Sequence, residues 1–112
     1  MAVRGSGPAG ERFRQALESL QDHPLVGEVR VRGFVAGIEL VQDKAARQSF
    51  PPGRQAGLTC REHAIRNGLV MRAVRDVMVL APPLIISDDE IVELLEKARI
   101  ALDLTARDLG VI

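Results

Sequence analysis

The 112-residue chain reads as a single α+β domain, a two-layer sandwich in which a small, mainly antiparallel sheet carries helices on one face. Three observations predict it. Short apolar stretches with strand character come in two pairs, near 26–41 and near 69–81. Stretches with apolar residues at helical spacing precede, separate and follow those pairs. The links inside each pair are short enough for hairpins, and the longer helical connection lets the chain return to the same sheet.

Residues 1–10 are rich in Gly, Ala and Pro and read as a flexible leader, so the domain is placed at 11–112. The first helix is expected from Glu11 to Leu20, where Phe13, Ala16, Leu17 and Leu20 fall at i, i+3, i+4 and i+7. Pro24 stops it and restricts His23 as well. His23 has nothing near it in sequence that would orient a catalytic base, and it reads as a boundary histidine. Between Val26 and Arg32 the chain alternates, Val29 and Val31 against Glu28, Arg30 and Arg32, as a half-buried strand does. Gly33 breaks that strand, and a second one is expected over Phe34–Val41. Gly37 within it predicts a bulge or a close backbone approach.

A polar loop follows from Asp43 to Gly53. A helix over Gln55–Arg66 then ends at Asn67-Gly68, with glycine suited to the left-handed position and Leu69 free to pack back. The next strand is expected at Leu69-Val70-Met71, ending on Arg72. Val74-Arg75-Asp76 forms a polar corner, Val77–Ala81 the last strand, and Pro82-Pro83 ends it. Ser87 with Glu90 makes a capping box, and Ile86 with Ile91 a hydrophobic staple. Ile91, Leu94, Leu95, Ala98 and Leu102 give the final helix one apolar stripe. That helix is expected to fray toward Arg107 and to end near Gly110.

Composition excludes several functions. Fifteen basic and fifteen acidic side chains cancel without a block of either sign, which argues against a general nucleic-acid or anionic-membrane binder. Three Phe, no Trp and no Tyr leave little for stacking on single-stranded RNA. No segment approaches the roughly 18 apolar residues of a membrane span. The lone Cys60 fits a reducing cytoplasm, and no secretory signal is evident.

Catalytic groups are scarce, and no catalytic, cofactor-binding or metal-binding residue is assigned. His63 and Cys60 lie three apart on one helix, but two ligands fall short of the three or four that a metal site needs. They read better as a buried thiol beside a partly buried histidine. The two lysines, Lys44 in a polar loop and Lys97 on a charged helix face, lack the desolvated setting of a Schiff-base lysine. Arg72 is the exception, a charge set between Met71 and Ala73 at an apolar strand end. It reads as a clamp for a substrate carboxylate, or as an edge-strand arginine that is paired or solvated. Spacing by itself favours the second reading. Arg75 and Asp76 read as turn residues.

The segments HPLVGEVRVRGFVAGIELV at 23–41 and RNGLVMRAVRDVMVLAPPLIISDDEIVELL at 66–95 closely resemble the C-terminal small domain of class III aminotransferases. These are the fold-type I, pyridoxal-phosphate (PLP)-dependent enzymes that include ω-amino acid–pyruvate transaminases. The likeness runs from about Glu11 to Arg107. It implies that Arg72 binds the carboxylate of an amino or keto acid, which reverses the preference from spacing. It further implies amino transfer from an amine or ω-amino acid to a keto acid such as pyruvate, PLP as cofactor, and a homodimer. The aldimine lysine would lie in a large domain that this chain lacks, so the isolated domain is expected to be inactive. Where Arg75 stands, many relatives carry glycine or another small residue. The alternative is a free-standing α+β module that binds a ligand or a protein without catalysis.

Overall fold

The structure is a computed structural model that describes residues 7–81 and 87–111. In chain order it has helix α1 (Gly7–Glu18) with a 3-10 extension (Ser19–Asp22), strands β1 (Val26–Arg32) and β2 (Val35–Leu40), a 3-10 turn (Pro52–Arg54), helix α2 (Ala56–Arg66), strands β3 (Arg72–Val74) and β4 (Val77–Leu80), and helix α3 (Asp88–Leu109). The sheet order is β1-β2-β4-β3, and every neighbouring pair is antiparallel. All three helices and the inner face of the sheet share one core. The expected two-layer α+β sandwich is what forms.

Helix α1 begins at Gly7, four residues ahead of the expected start. Phe13, Leu17 and Leu20 are fully buried, and the Phe13 ring meets that of Phe34 at 5.6 Å between centroids. The β1–β2 hairpin turns on Gly33 and Phe34, and Gly33 takes φ 57°, which a residue without Cβ adopts freely. The irregularity expected at Gly37 lies instead at Gly27. The register slips between Val26 and Glu28, and a Cβ at Gly27 would come within 2.5 Å of Val41 Cγ1. Gly37 sits in regular pairing with Arg30 and Val79, where a Cβ would meet only ordinary contact.

Helices α2 and α3 both end on left-handed glycines. After α2, Gly68 (φ 83°) lets Leu69 N–H reach Ala64 O at 2.8 Å and Gly68 N–H reach Ile65 O at 3.0 Å. After α3, Gly110 (φ 76°) sends Val111 N–H to Ala106 O at 2.8 Å, so α3 runs helical to Leu109 instead of fraying near Arg107. Each closure satisfies carbonyls that a helix end otherwise leaves open. The capping box is complete: Glu90 N–H donates to Ser87 Oγ at 3.1 Å, and Ser87 N–H to Glu90 Oε1 at 2.8 Å. These bonds hold the Glu90 carboxyl below its ordinary range. Pro82-Pro83 and Ile86, the expected strand stop and staple, lie outside the described residues.

The third strand falls later than expected. Leu69 is committed to closing α2 and Met71 is buried, so the ladder begins at Arg72 and runs to Val74. Arg72 therefore opens the strand, paired with Val79, instead of closing it.

Candidate functional site

Direct pairing places side chains on a common face, and the register defines the outer, helix-free face of the sheet. One cross-strand row reads Arg30, Gly37, Val79, Arg72, and the next reads Glu28, Glu39, Val77, Val74. Arg72 is exposed on edge strand β3, and among the described residues no ion pair involves it. Its planar guanidinium is thus available for two parallel hydrogen bonds to a carboxylate.

Arg30 stands at the opposite edge, three strand spacings or about 14 Å away, too far to share one carboxylate with Arg72. It is also engaged: its Nε and Nη2 donate to Glu28 at 3.0 and 3.2 Å. That hydrogen bonding lowers the Glu28 pKa and raises that of Arg30. Around Arg72 the surface is apolar, with Val74 half exposed and Val70 78% exposed.

Arg75 faces a different space. A recess of about 800 Å³ opens between the 49–58 segment and the β3–β4 turn, lined in part by Ser49, Phe50, Gln55, Arg75 and Asp76. Arg75 takes φ 57°, a left-handed conformation that costs a side-chain-bearing residue roughly 1–2 kcal/mol. Glycine at that position, having no Cβ, would avoid this cost.

Asp76 does more than turn the chain. Helix α2 has no side-chain cap at Gln55, and its Gly57 N–H donates instead to Asp76 Oδ1 at 3.1 Å. A carboxylate there complements the positive helix end. Sequence reasoning missed this contact, although a helix start without Ser, Thr, Asp or Asn signals a cap supplied from elsewhere.

The other candidates are structural. His23 is buried; its Nδ1 accepts from Leu25 N–H at 3.1 Å, and its Nε2 lies 2.7 Å from Asp103 Oδ1. His63 Nε2 lies 2.6 Å from Asp108 Oδ2. Burial pushes the Cys60 thiol up to about 11, the opposite of a reactive thiolate. Among the described residues no three His, Cys, Asp or Glu converge to hold a metal.

Both lysines are occupied. Lys44 Nζ donates to the carbonyls of Gln21 and His23, and Lys97 Nζ lies 2.7 Å from Glu93 and 3.5 Å from Gly68 O. Neither stands in a desolvated pocket, so the lysines present do not fit an aldimine partner for PLP.

The sequence model of the family described as Aminotransferase class-III matches residues 3–102. This chain belongs to the class III aminotransferases. It is 52% identical over 94 residues to a putrescine–pyruvate aminotransferase of Pseudomonas aeruginosa, covering 84% of this chain and 20% of that protein. An adenosylmethionine-8-amino-7-oxononanoate aminotransferase of Methanocaldococcus jannaschii is 40% identical over 87 residues, covering 78% of this chain and 19% of the relative. Among solved structures, the ω-transaminase of Pseudomonas jessenii in complex with PMP superposes with a TM-score of 0.84 at 33% identity, over 96% of this chain and 24% of that one. A PMP-bound aminotransferase from Vibrio fluvialis gives 0.87 at 26% identity, over 95% and 24%. The chain thus spans about a fifth of the length of the curated relatives it matches. No helix among the described residues is long and apolar enough to cross a membrane.

Proposed function

We infer that this chain is the small domain of a PLP-dependent transaminase, and that Arg72 binds the carboxylate of its amino- or keto-acid substrate. The observation that carries the reading is an exposed guanidinium without an ion-pair partner among the described residues, fixed on an edge strand amid apolar side chains. A charge that the described residues leave unpaired, on a face that they leave uncovered, is suited to an external acid. The bare valines of the same face, Val35 and Val74, are part of the surface on which the remaining four-fifths of such an enzyme would dock.

PLP supplies the electron sink that lets an amine be traded for a ketone. Its lysine and phosphate ligands belong to the large domain in this reading. This chain contributes the acid-binding wall, and Arg72 orients the carboxylate so that the substrate's amine-bearing carbon faces the cofactor. Pyruvate or a similar keto acid is the acceptor, the donor is an amine or ω-amino acid, and the enzyme works as a homodimer in the cytoplasm.

The isolated chain neither retains PLP nor transaminates. Incubated with PLP and passed through gel filtration, it should emerge without a cofactor absorbance band and without amine transfer to pyruvate. A band that survives filtration together with turnover would overturn that statement. The outer face should bind a hydrophobic dye or drive concentration-dependent self-association; a chain that stays monomeric and dye-free would instead favour a free-standing binding module.

A further inference from the structure

The strand that carries Arg72 is too short to position it unaided. β3 has three residues and, among the described residues, pairs only with β4, through Arg72–Val79, Ala73–Met78 and Val74–Val77. An edge ladder of this length is marginal by itself. What holds it is helix α2, which grips the segment at both ends. At the helix C-terminus, Leu69 N–H closes onto Ala64 O at 2.8 Å, and Met71 is buried two residues later. At the helix N-terminus, Gly57 N–H donates to Asp76 Oδ1 at 3.1 Å.

Two further contacts lock the turn. Leu40 N–H donates to Asp76 O at 2.8 Å, which ties the turn to β2. Gly57 lies directly against the Arg75 carbonyl, where a Cβ would fall 2.0 Å from the oxygen. Residues 69–76 therefore form a strap across α2, with Arg72 midway along it.

We propose that Asp76 and Gly57 are positioning residues for Arg72: the Asp76 carboxylate and the bare Cα of Gly57 fix the β3–β4 turn on α2, and so set where the guanidinium meets a substrate carboxylate. The inference rests on the reading of Arg72 as the acid-binding residue. It adds that carboxylate affinity is controlled from the far side of the hairpin, by groups that touch no substrate. Asp76 acts through its acceptor oxygen, so an amide in its place keeps the device working.

The test uses the PLP holoenzyme that carries this domain, with KM measured for pyruvate and for an aryl amine without a carboxylate. Asp76→Ala should raise KM for pyruvate by about tenfold or more, since a misplacement on the order of 1 Å costs about a hundredfold. KM for the amine should stay within about twofold, and Asp76→Asn should restore most of the loss. Equal changes for both substrates, no change, or no rescue by Asp76→Asn would overturn the proposal. If Asp76→Ala does not fold, Gly57→Ala displaces the same turn from the helix side and must give the same selective loss; a uniform loss overturns it. Arg72→Ala is the control that separates the two claims. If that variant leaves pyruvate and amine equally affected, the acid-binding reading fails. The strap is then judged in the 112-residue chain by amide hydrogen exchange, where Asp76→Ala must speed the β3–β4 ladder relative to the α3 amides, and unchanged rates reject it.

Discussion

On the inner face of the sheet Ile38, Met78 and Leu80 are at most 2% exposed, whereas on the outer face, from the same set of strands, Val35 and Val74 stand half exposed beside unburied arginines. The inner face has its complement within the chain: α1 and α2 supply Phe13, Leu17, Ala56, Cys60 and Ala64, and α3 adds Ala98 and Leu102. The outer face has none among the described residues. Alternation along each strand produces both from one ladder, so one set of side chains makes the fold while the other is left for a partner and a ligand.

Substitutions on the two faces should separate sharply. Leu102→Ala, on the helix that closes the inner layer, should lower stability by about 3 kcal/mol in urea unfolding of the chain, the cost of a cavity at a fully buried leucine. Val35→Thr on the outer face should stay within about 0.5 kcal/mol. Comparable losses at the two positions would erase the distinction.

The inner layer should also carry an alkaline limb. The Cys60 thiol, raised by burial from 9.0 to about 11, keeps its proton in the folded state while an unfolded chain loses it. The folded state then binds more protons between those values. Stability is fully present below pH 9 and falls as pH rises through 11, by about 3 kcal/mol in all at about 1.4 kcal/mol per unit. Cys60→Ala should flatten that limb in pH-dependent unfolding, and a slope that persists would assign it to other groups.

A smaller effect marks the start of α3. Ser87→Ala removes one half of the capping box and should cost about 1 kcal/mol. Because Glu90 is held below its ordinary pKa of 4.5, the contribution of its carboxylate is present above that value and fades as pH falls through the lowered one. Glu90→Gln should reduce the acid dependence below the ordinary carboxylate value of 4.5, read by circular dichroism. Smallest is Arg75→Gly, which relieves a left-handed arginine at the expense of added freedom in the unfolded chain. A net gain of about 0.5 kcal/mol is expected, and a loss would mean that the Arg75 side chain itself holds the turn.

Much of this was legible in the residues. The β1 bounds coincide with the alternation of Val29 and Val31 against Glu28, Arg30 and Arg32, since period two needs no distant information. Ser87 with Glu90, and Asn67 with Gly68, announced their helix ends by local chemistry. What was not legible depends on partners far along the chain. Gly37 looked like the irregular glycine, but Gly27 is, because only Val41 packed above it forbids a side chain there. Leu69–Met71 looked like the strand because it is apolar, yet burial beside α2 and ladder pairing are separate demands. The ladder went to the exposed Arg72 and Val74. Asp76 read as a turn residue because its second role, capping a helix nineteen positions earlier, leaves no local trace. The motif located Arg72, and the register then placed it in the outer-face row with Val79, Gly37 and Arg30.

The most direct measurement of the account's centre is the selectivity of Arg72→Ala in the PLP enzyme that contains this domain. The ratio of kcat/KM for a carboxylated amino donor to that for a simple amine should fall at least about tenfold, the loss of one charge-assisted carboxylate contact. An unchanged ratio, with both substrates reduced alike, would contradict it and return Arg72 to the role of a surface charge on an edge strand.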